Sequence, residues 1–379
     1  MQPEWMTRKM ESFDFNLRKF NTSNIYSYFL EHPDATKQDL ASALNLTLPT
    51  VNKNIDYLSE LGLIAVSGSR GQTGGRRATT YSLCADAKVS LGLDITKHHV
   101  LCVVVDLNGN IISFSRNYLI FEFKDSYFKE VANLLKKFIK ESNIDDKKIL
   151  GVGIGIPALV QSDNKTVFYS GIMDIREDTY DMFRKYIDMD IVMFNDAKAS
   201  CFAEKWINKD LVNAFYIMLS NNVGGAMMIN GQVYSGDNFR SAEVGHITLV
   251  PHGRKCYCGQ YGCVDPYLAA TNLSQDDLEG YFKELETTKD EKILDEWQQY
   301  LDYTAQTVVN VRAILDCDII LGGYVGAYLE PYLDEIKKRA LKISTFDTNA
   351  DFIKLCSYKR ENIAAGAALY FISQFIKTI

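Results

Sequence analysis

The stretch "EVGHITLVPHGRKCYCGQYGCVD", residues 243–265, gathers three cysteines of a cysteine-poor chain into one short loop. Cys256, Cys258 and Cys263 could form a disulfide or bind a metal. A Cys-x-Cys pair followed by a third cysteine is awkward for a disulfide and leaves one thiol unpaired. With His246 upstream, the three thiolates complete a closed tetrahedral set that is typical of structural zinc. The stretch therefore favours a structural zinc site with no position open to water.

The overall composition is that of a globular cytoplasmic protein. The chain has 379 residues, of which 47% are hydrophobic and 23% charged, and this predicts two or three domains with ample core. No apolar run reaches the roughly 20 residues that span a bilayer, and the N-terminus lacks the apolar centre of a signal peptide. Eight cysteines in a chain of this length do not make a secreted disulfide scaffold. We therefore predict a cytoplasmic protein with no membrane partner.

The N-terminal region, residues 1–85, predicts a DNA-binding domain. Apolar residues at helical spacing indicate two helices within residues 34–64, with Thr36 and Thr47 as their N-caps. The stretch "AVSGSRGQTGGRRATTYSL", residues 65–83, predicts a hairpin with a Gly-rich tip. An earlier helix is marked by Ile25, Tyr26, Phe29 and Leu30, and three helices with a basic hairpin describe a winged helix-turn-helix. A small helical domain for protein contacts is the alternative, and the arginine-bearing loop favours DNA.

Specific DNA contacts follow from the way in which such domains dock. The second helix of the pair enters the major groove, and the wing reaches phosphates or the minor groove. The predicted contacts are Thr50, Asn52, Lys53, Asn54, Arg70, Arg76 and Arg77.

The second region, residues 86–379, has the strand and helix pattern of an α/β domain. Two "strand, strand, helix, strand" halves suggest a duplicated domain with a cleft between its lobes. Ligands in such clefts lie at strand ends, where short polar side chains converge. An asparagine, two aspartates, a glutamate and a histidine are candidates for such a site. Side chains of these types suit a ligand with many vicinal hydroxyls, because each hydroxyl both donates and accepts hydrogen bonds. Taken singly, each could instead have a capping or turn role, as Asn195 could cap a helix. The candidate sugar-binding residues are Asn195, Asp196, Glu243, His246 and Asp265.

Several blocks of the sequence resemble the ROK family of repressors and sugar kinases. "EVGHI" followed by "CYCGQYGCVD" resembles the family signature, and the N-terminal region resembles the DNA-binding domain of ROK repressors. Further blocks that resemble the sugar-kinase domain are "GIGIP", "FNDAKASCFAE", "GGAMMINGQVYSG" and "LGG" at 321–323. The resemblance implies an α/β fold in which an N-terminal winged helix-turn-helix precedes a two-lobed, actin-like and ribonuclease H-like sugar kinase fold.

The resemblance also implies roles for individual residues. His246, Cys256, Cys258 and Cys263 match the zinc ligands of the family. Asn195, Asp196, Glu243, His246 and Asp265 match its sugar-contacting positions, and Asp196 matches the catalytic base of the kinases. Two positions depart from the pattern near the pocket: Asp265 stands where the family usually has Glu, and Ala158 replaces a Gly.

The two phosphate-binding loops of the kinases are altered in this chain. In "LDITKHHV", Asp94 remains, but Thr96 and Lys97 replace glycines and His98 replaces a threonine. In "SNNVGGA", residues 220–226, the first two glycines of the family's loop are also replaced. Phosphoryl transfer depends on positioning and on stabilisation of charge, so these changes predict that the protein is not an enzyme.

The sequence thus predicts a sugar-responsive transcriptional regulator, and we favour a repressor. It would bind operator DNA and a sugar or sugar-phosphate effector, which it does not phosphorylate. A homodimer or homotetramer would change the spacing of its DNA-binding heads when the lobes close. The alternatives are an ATP-dependent sugar kinase that retains a DNA-binding domain, and a regulator that is controlled by a partner protein.

Overall fold

The computed structural model describes residues 19–71, 77–275, 277–358 and 361–379. In these ranges an N-terminal winged helix precedes two α/β lobes. Its helices are α1 (residues 19–31), α2 (Lys37–Ala43) and α3 (Leu48–Glu60). Its strands are β1 (Ala35–Thr36), β2 (Ile64–Arg70) and β3 (Ala78–Leu83), which form an antiparallel sheet in the order β1-β3-β2.

Both predicted N-caps of the winged helix are confirmed. The Thr36 hydroxyl accepts the Asp39 N–H at 3.2 Å, and the Asp39 carboxylate accepts the Thr36 N–H at 2.8 Å, which makes a complete capping box. Thr47 caps α3 through its hydroxyl, which accepts the Thr50 N–H at 3.4 Å, and Pro49 lies in the first turn, where its missing N–H costs no hydrogen bond.

The first lobe is built on a five-stranded sheet in the order β10-β7-β4-β5-β6. Its strands are β4 (Val89–Ile95), β5 (His99–Asp106), β6 (Ile111–Tyr118), β7 (Ile149–Ile156) and β10 (Ile191–Asn195). A small hairpin of β8 (Leu159–Val160) and β9 (Val167–Tyr169) lies beside it. The helices that follow these strands are α4 (Asp125–Glu141), α5 (Thr179–Arg184) and α6 (Asp196–Ile207).

The second lobe repeats this topology, so the predicted duplication is confirmed. The predicted order within each half is wrong in one respect, because three strands and not two precede its first helix. The sheet of the second lobe has the order β13-β12-β11-β14-β15, so both sheets consist of an antiparallel three-strand meander extended by two parallel strands. The strands are β11 (Ala214–Leu219), β12 (Val223–Ile229), β13 (Gln232–Tyr234), β14 (Asp318–Gly322) and β15 (Ile353–Leu355). The helices are α7 (Asp265–Leu268), α8 (Leu278–Thr287), α9 (Glu291–Leu315), α10 (Gly323–Gly326) and α11 (Leu333–Ile343).

The C-terminal helix α12 (Asn362–Thr378) returns to the first lobe and packs directly on its sheet. A side chain at Gly92 or Gly153 would come within about 2 Å of an α12 carbonyl, so the glycines of β4 and β7 permit this close approach. Apolar residues of α12 share one core cluster with Ile25 and Phe29 of the winged helix. The helix therefore supports both domains. None of the helices among the described residues has the length and apolar character that spanning a membrane requires.

Candidate functional site

The predicted metal ligands come together in a loop of the second lobe. The ligand atoms of His246, Cys256, Cys258 and Cys263 all lie within 4.8 Å of one another. The Cys258 and Cys263 Sγ atoms are 3.8 Å apart, and the Cys256 Sγ lies 3.7 Å from the His246 Nδ1. Gly262 has φ of +81°, and a side chain there would meet the Val250 carbonyl oxygen at 1.8 Å. The loop closes in this way only with glycine at this position, and the four side chains could hold a metal ion.

The imidazole of His246 has two different neighbours. Its Nδ1 faces the sulfur atoms, whereas its Nε2 lies 3.1 Å from the hydroxyl oxygen of Tyr257. The two rings meet edge to face, with centroids 5.2 Å apart. We did not identify Tyr257 from the sequence. Its place between two predicted cysteine ligands was the available signal, because a residue there cannot lie far from the site.

Asn195 and Asp196 lie where β10 passes into α6. The Asn195 side-chain oxygen caps the helix by accepting the Lys198 N–H at 3.1 Å, and its amide donates to the Ala158 carbonyl and to Asp196. The Asp196 carboxylate also accepts the Ala197 N–H at 2.8 Å. The capping role that we left open for Asn195 is therefore present, and through it Asn195 orients Asp196.

Three carboxyl groups lie near one another at this point of the fold. Burial, together with the negative charge of Glu243, raises the pKa of Asp196 from 3.8 to about 7. Burial also raises the pKa of Asp94 to about 7, with a further contribution from Asp196 and an opposing one from Arg116. The Glu243 pKa is raised by burial and lowered by His246 and Lys198. The Asp94 and Asp196 carboxyl groups, which are partly protonated near pH 7, can donate as well as accept, which suits a ligand rich in hydroxyls.

Asp265 is already engaged in a backbone contact. This buried carboxylate accepts the Val223 N–H at 2.7 Å, which links the start of α7 to the start of β12. Burial raises the pKa of Asp265, and attraction to His246 lowers it, so the carboxylate also faces the histidine. Of the five predicted sugar-binding residues, Asn195 and Asp265 thus use part of their capacity to hold backbone, and both ring nitrogens of His246 already have neighbours within the loop.

The altered phosphate loops are closed by their own hydrogen bonds. The His99 N–H donates to the Thr96 hydroxyl at 3.0 Å, and the Thr96 N–H donates to the His99 carbonyl at 3.0 Å. In the other loop the Ser220 carbonyl accepts the Ala270 N–H at 2.8 Å, and the Ser220 hydroxyl accepts the Tyr324 N–H at 3.3 Å. In the first loop the backbone N–H groups of Thr96 and His99 are therefore already paired, whereas in the second loop Ser220 accepts hydrogen bonds from other segments of the chain.

One predicted DNA contact, Asn54, is wrong in its orientation. Asn54 is 3% exposed; its amide donates to the Thr50 carbonyl at 2.8 Å, and its oxygen accepts the Thr22 hydroxyl at 2.6 Å. The reason is helical geometry, since position 54 lies three residues after Val51 and four before Leu58, both of which are buried. Asn54 therefore joins α3 to α1 and does not face outward.

The other predicted DNA contacts lie at or near the surface. Asn52 and Lys53 are exposed, and Thr50 is half-buried with its hydroxyl 2.9 Å from that of Thr47. Arg77 is exposed, whereas Arg76 lies outside the described residues. Arg70 is exposed but forms an ion pair with Asp39 at 3.5 Å, and it also donates to the Asp34 carbonyl at 3.1 Å.

Sequence comparison identifies relatives of both parts of the chain. The model for the ROK family matches residues 90–374, and the model for winged helix-turn-helix DNA-binding domains matches residues 21–65. The xylose repressor of Bacillus spizizenii is 25% identical over 329 residues, which cover 86% of this chain and 82% of that protein. The DNA-binding transcriptional dual regulator NagC of Escherichia coli is 20% identical over 262 residues, or 68% of this chain and 64% of NagC.

Comparison of structures gives the same result for the fold. A ROK family transcriptional regulator that is a homologue of the E. coli MLC protein superposes with a TM-score of 0.73 and 18% identity, covering 96% of this chain and 97% of its own. A ROK family glucokinase from Streptomyces griseus, in complex with glucose and AMPPNP, has a TM-score of 0.63 and 21% identity, covering 74% and 98%. The predicted fold, a winged helix-turn-helix followed by a two-lobed sugar-kinase fold, is confirmed.

Proposed function

The chain belongs to the ROK family, and we propose on that basis that it is a sugar-responsive DNA-binding repressor. One observation carries the proposal: a winged helix with an outward polar helix face is joined in one chain to a cleft in which carboxyl groups and a histidine converge. The names of the relatives, a xylose repressor and a transcriptional regulator, support the same function.

We propose that the four ligands of the second lobe hold a structural zinc ion. With Zn–S bonds of about 2.3 Å, a tetrahedral site places its sulfurs about 3.8 Å apart, and a shorter Zn–N bond makes the S···N distance slightly less. The separations of 3.8 Å for Cys258–Cys263 and 3.7 Å for Cys256–His246 fit this geometry. Zinc would fix the loop and, when bound through Nδ1, would leave the His246 proton on Nε2.

In the proposed sugar site, Asp196, Glu243 and His246 contact the ligand directly. Asn195 and Asp265 complete the predicted set by holding Asp196 and the start of β12 in place. We expect sugar binding without phosphoryl transfer, because the N–H groups of Thr96 and His99 are already paired where a nucleotide phosphate would require free N–H groups, and Ser220 replaces a glycine of the second loop.

The proposed DNA-binding surface consists of the exposed positions of α3 and the wing. Asn52 and Lys53 have the outward orientation that major-groove contacts require, with Thr50 beside them. We assign phosphate or minor-groove contacts to Arg70, Arg76 and Arg77. Operator DNA would bind two such heads in a homodimer or homotetramer, and closure of the lobes would change their spacing.

The test is binding of the purified protein to the DNA upstream of its own gene, at fixed salt, with and without a panel of sugars and sugar phosphates. Salt must be constant because phosphate contacts make DNA affinity steeply salt-dependent. We expect one sugar to change DNA affinity at least tenfold and no sugar-dependent release of ADP from ATP. DNA binding that no sugar alters would contradict the proposal and favour control by a partner protein.

A matched pair of variants makes this test specific. Asp196→Asn keeps the shape of the side chain but removes the carboxyl group that faces the sugar, and we expect it to bind DNA without a sugar response. Asp295→Asn carries the same chemical change on an exposed position of α9, and we expect it to behave like the parent protein.

A further inference from the structure

Tyr257 already occupies the hydrogen-bonding position that His246 offers to the cleft. Its hydroxyl oxygen lies 3.1 Å from the Nε2 of His246. If a metal ion binds Nδ1, the neutral imidazole carries its proton on Nε2, so His246 donates and the tyrosine oxygen accepts. A sugar hydroxyl that binds His246 would accept this same hydrogen bond, and the two oxygens cannot occupy one position.

The ring of Tyr257 also reaches the other lobe. A side chain at Gly171, in the first lobe after β9, would come within 3.4 Å of the Tyr257 ring and within 3.0 Å of the Tyr169 hydroxyl. The Tyr257 hydroxyl contacts His246, which is one of the proposed sugar-binding residues. The tyrosine side chain is nevertheless 46% exposed, so it can move without disrupting a core.

From these contacts we propose that Tyr257 is a specificity-determining residue that substitutes for a sugar hydroxyl in the ligand-free cleft. The effector binds by replacing the tyrosine oxygen on His246 Nε2 with a hydroxyl oxygen of its own. The inference rests on the proposed function, because it presupposes a sugar site at His246. It also specifies the ligand class: a monosaccharide with a free hydroxyl at the position that meets His246, and not a derivative that lacks this hydroxyl.

Displacement of Tyr257 connects sugar binding to the arrangement of the lobes. While the tyrosine is on His246, its ring lies against the Gly171 segment of the opposite lobe. When a sugar takes its place, the ring leaves this position and the contact between the lobes changes. Because the Tyr257 oxygen competes with the ligand for His246, the affinity for every sugar is lowered. Only a ligand whose own hydroxyl restores the hydrogen bond to His246 regains the binding free energy that this competition costs.

The experiment compares Tyr257→Phe with the parent protein and with Tyr261→Phe. The first variant removes the competing oxygen and keeps the ring; the second makes the same change at an exposed tyrosine of the same loop. Titration calorimetry with the sugar found in the panel should show binding that is about two- to tenfold tighter for Tyr257→Phe, the range expected for the loss of one competing hydrogen bond. Tyr261→Phe should leave the affinity unchanged. Unchanged affinity in Tyr257→Phe would overturn the proposal, and so would weaker binding, which would mean that the hydroxyl contacts the sugar directly.

A second measurement separates this inference from the proposed function. The chain has five histidines, so the ring N–H signals of protein labelled with ¹⁵N-histidine and loaded with zinc are few. We expect Tyr257→Phe to shift the Nε2–H signal of His246 and to accelerate its exchange with water, with no sugar present. If no sugar binds any variant but the signal shifts, the proposed function fails and the contact stands. Identical signals in the variant and the parent would overturn the substitution of Tyr257 for a ligand.

Discussion

Asp94 is buried in β4 with its carboxyl group facing Asp196, and its charge is therefore unfavourable to the folded state. Its pKa is raised from 3.8 to about 7, so the folded protein holds a proton that the unfolded chain releases between those values. The resulting loss of stability is absent below pH 4, grows as the pH rises, and is complete above pH 7.

Asp94→Asn should consequently raise the free energy of unfolding at pH 8, by on the order of 1–3 kcal/mol. The variant and the parent should converge as the pH falls toward 4. Thermal unfolding at a series of pH values measures this difference, with Asp295→Asn as the control. An equal effect at pH 8 and pH 4 would show that the stabilisation does not come from the charge.

Asn52 and Asn54 lie within one turn of α3, but we expect Asn52 to contribute to DNA binding and Asn54 to contribute to the stability of the fold. Asn54 is buried and bonds to Thr22 and Thr50, so Asn54→Ala should cost about 1–3 kcal/mol of stability by leaving buried partners unpaired. Asn52 is exposed, so Asn52→Ala should reduce operator affinity and leave the unfolding midpoint unchanged. Urea unfolding and DNA titration of both variants measure the two effects. A loss of stability in Asn52→Ala together with normal stability in Asn54→Ala would contradict the orientation of α3.

The metal loop is an element that its ligands hold together, because it contains little regular secondary structure of its own. Cys258→Ser should remove about one zinc ion per chain, measured as metal content after gel filtration, and should weaken sugar binding through His246. Cys84→Ser is the matched control, since Cys84 lies outside the cluster. Full zinc content in Cys258→Ser would exclude the assigned ligand set.

The sequence predicted those features that depend on residues close to one another in the chain. The caps at Thr36 and Thr47, the repeated α/β halves and the cysteine cluster all depend on residues close together in the chain. The contact of Asp265 with the Val223 N–H joins residues 42 positions apart, and only the tertiary fold of the second lobe brings them together. The contact between Tyr257 and the Gly171 segment likewise depends on how the two lobes meet.

The orientation of Asn54 was missed for a different reason. A polar residue is expected on the outward face of a recognition helix, and the sequence gives no sign that Thr22 of α1 supplies a buried partner. Helical phase, counted from Val51 and Leu58, was the better guide, because it places position 54 with the apolar face. A buried polar residue is stable there only because both of its polar atoms are paired.

At the scale of the whole molecule, α6 runs from the proposed sugar site toward the N-terminal winged helix. The helix begins at Asp196 in the cleft and ends near Trp206, whose indole N–H donates to the Asn108 carbonyl at 3.1 Å. Just beyond it, the Lys209 ammonium lies 4.0 Å above the Trp206 ring, and Lys209 is attracted to Glu31 of α1. A displacement at the first turn of a rigid helix is transmitted to its last turn, so movement of Asp196 on sugar binding would reach α1.

Trp206→Phe should therefore weaken the coupling between the two sites more than it weakens either site. The substitution removes the hydrogen bond to Asn108 and reduces the surface beneath Lys209. We expect DNA affinity without sugar, and sugar affinity without DNA, to stay within about twofold of the parent, while the factor by which sugar changes DNA affinity falls at least threefold. Ile207→Ala, an adjacent position that is 48% exposed, should leave that factor unchanged. Because coupling is reciprocal, DNA must alter sugar affinity by the same reduced factor in Trp206→Phe. A variant with normal coupling in both directions would show that the signal passes through the core shared with α12 and not through α6.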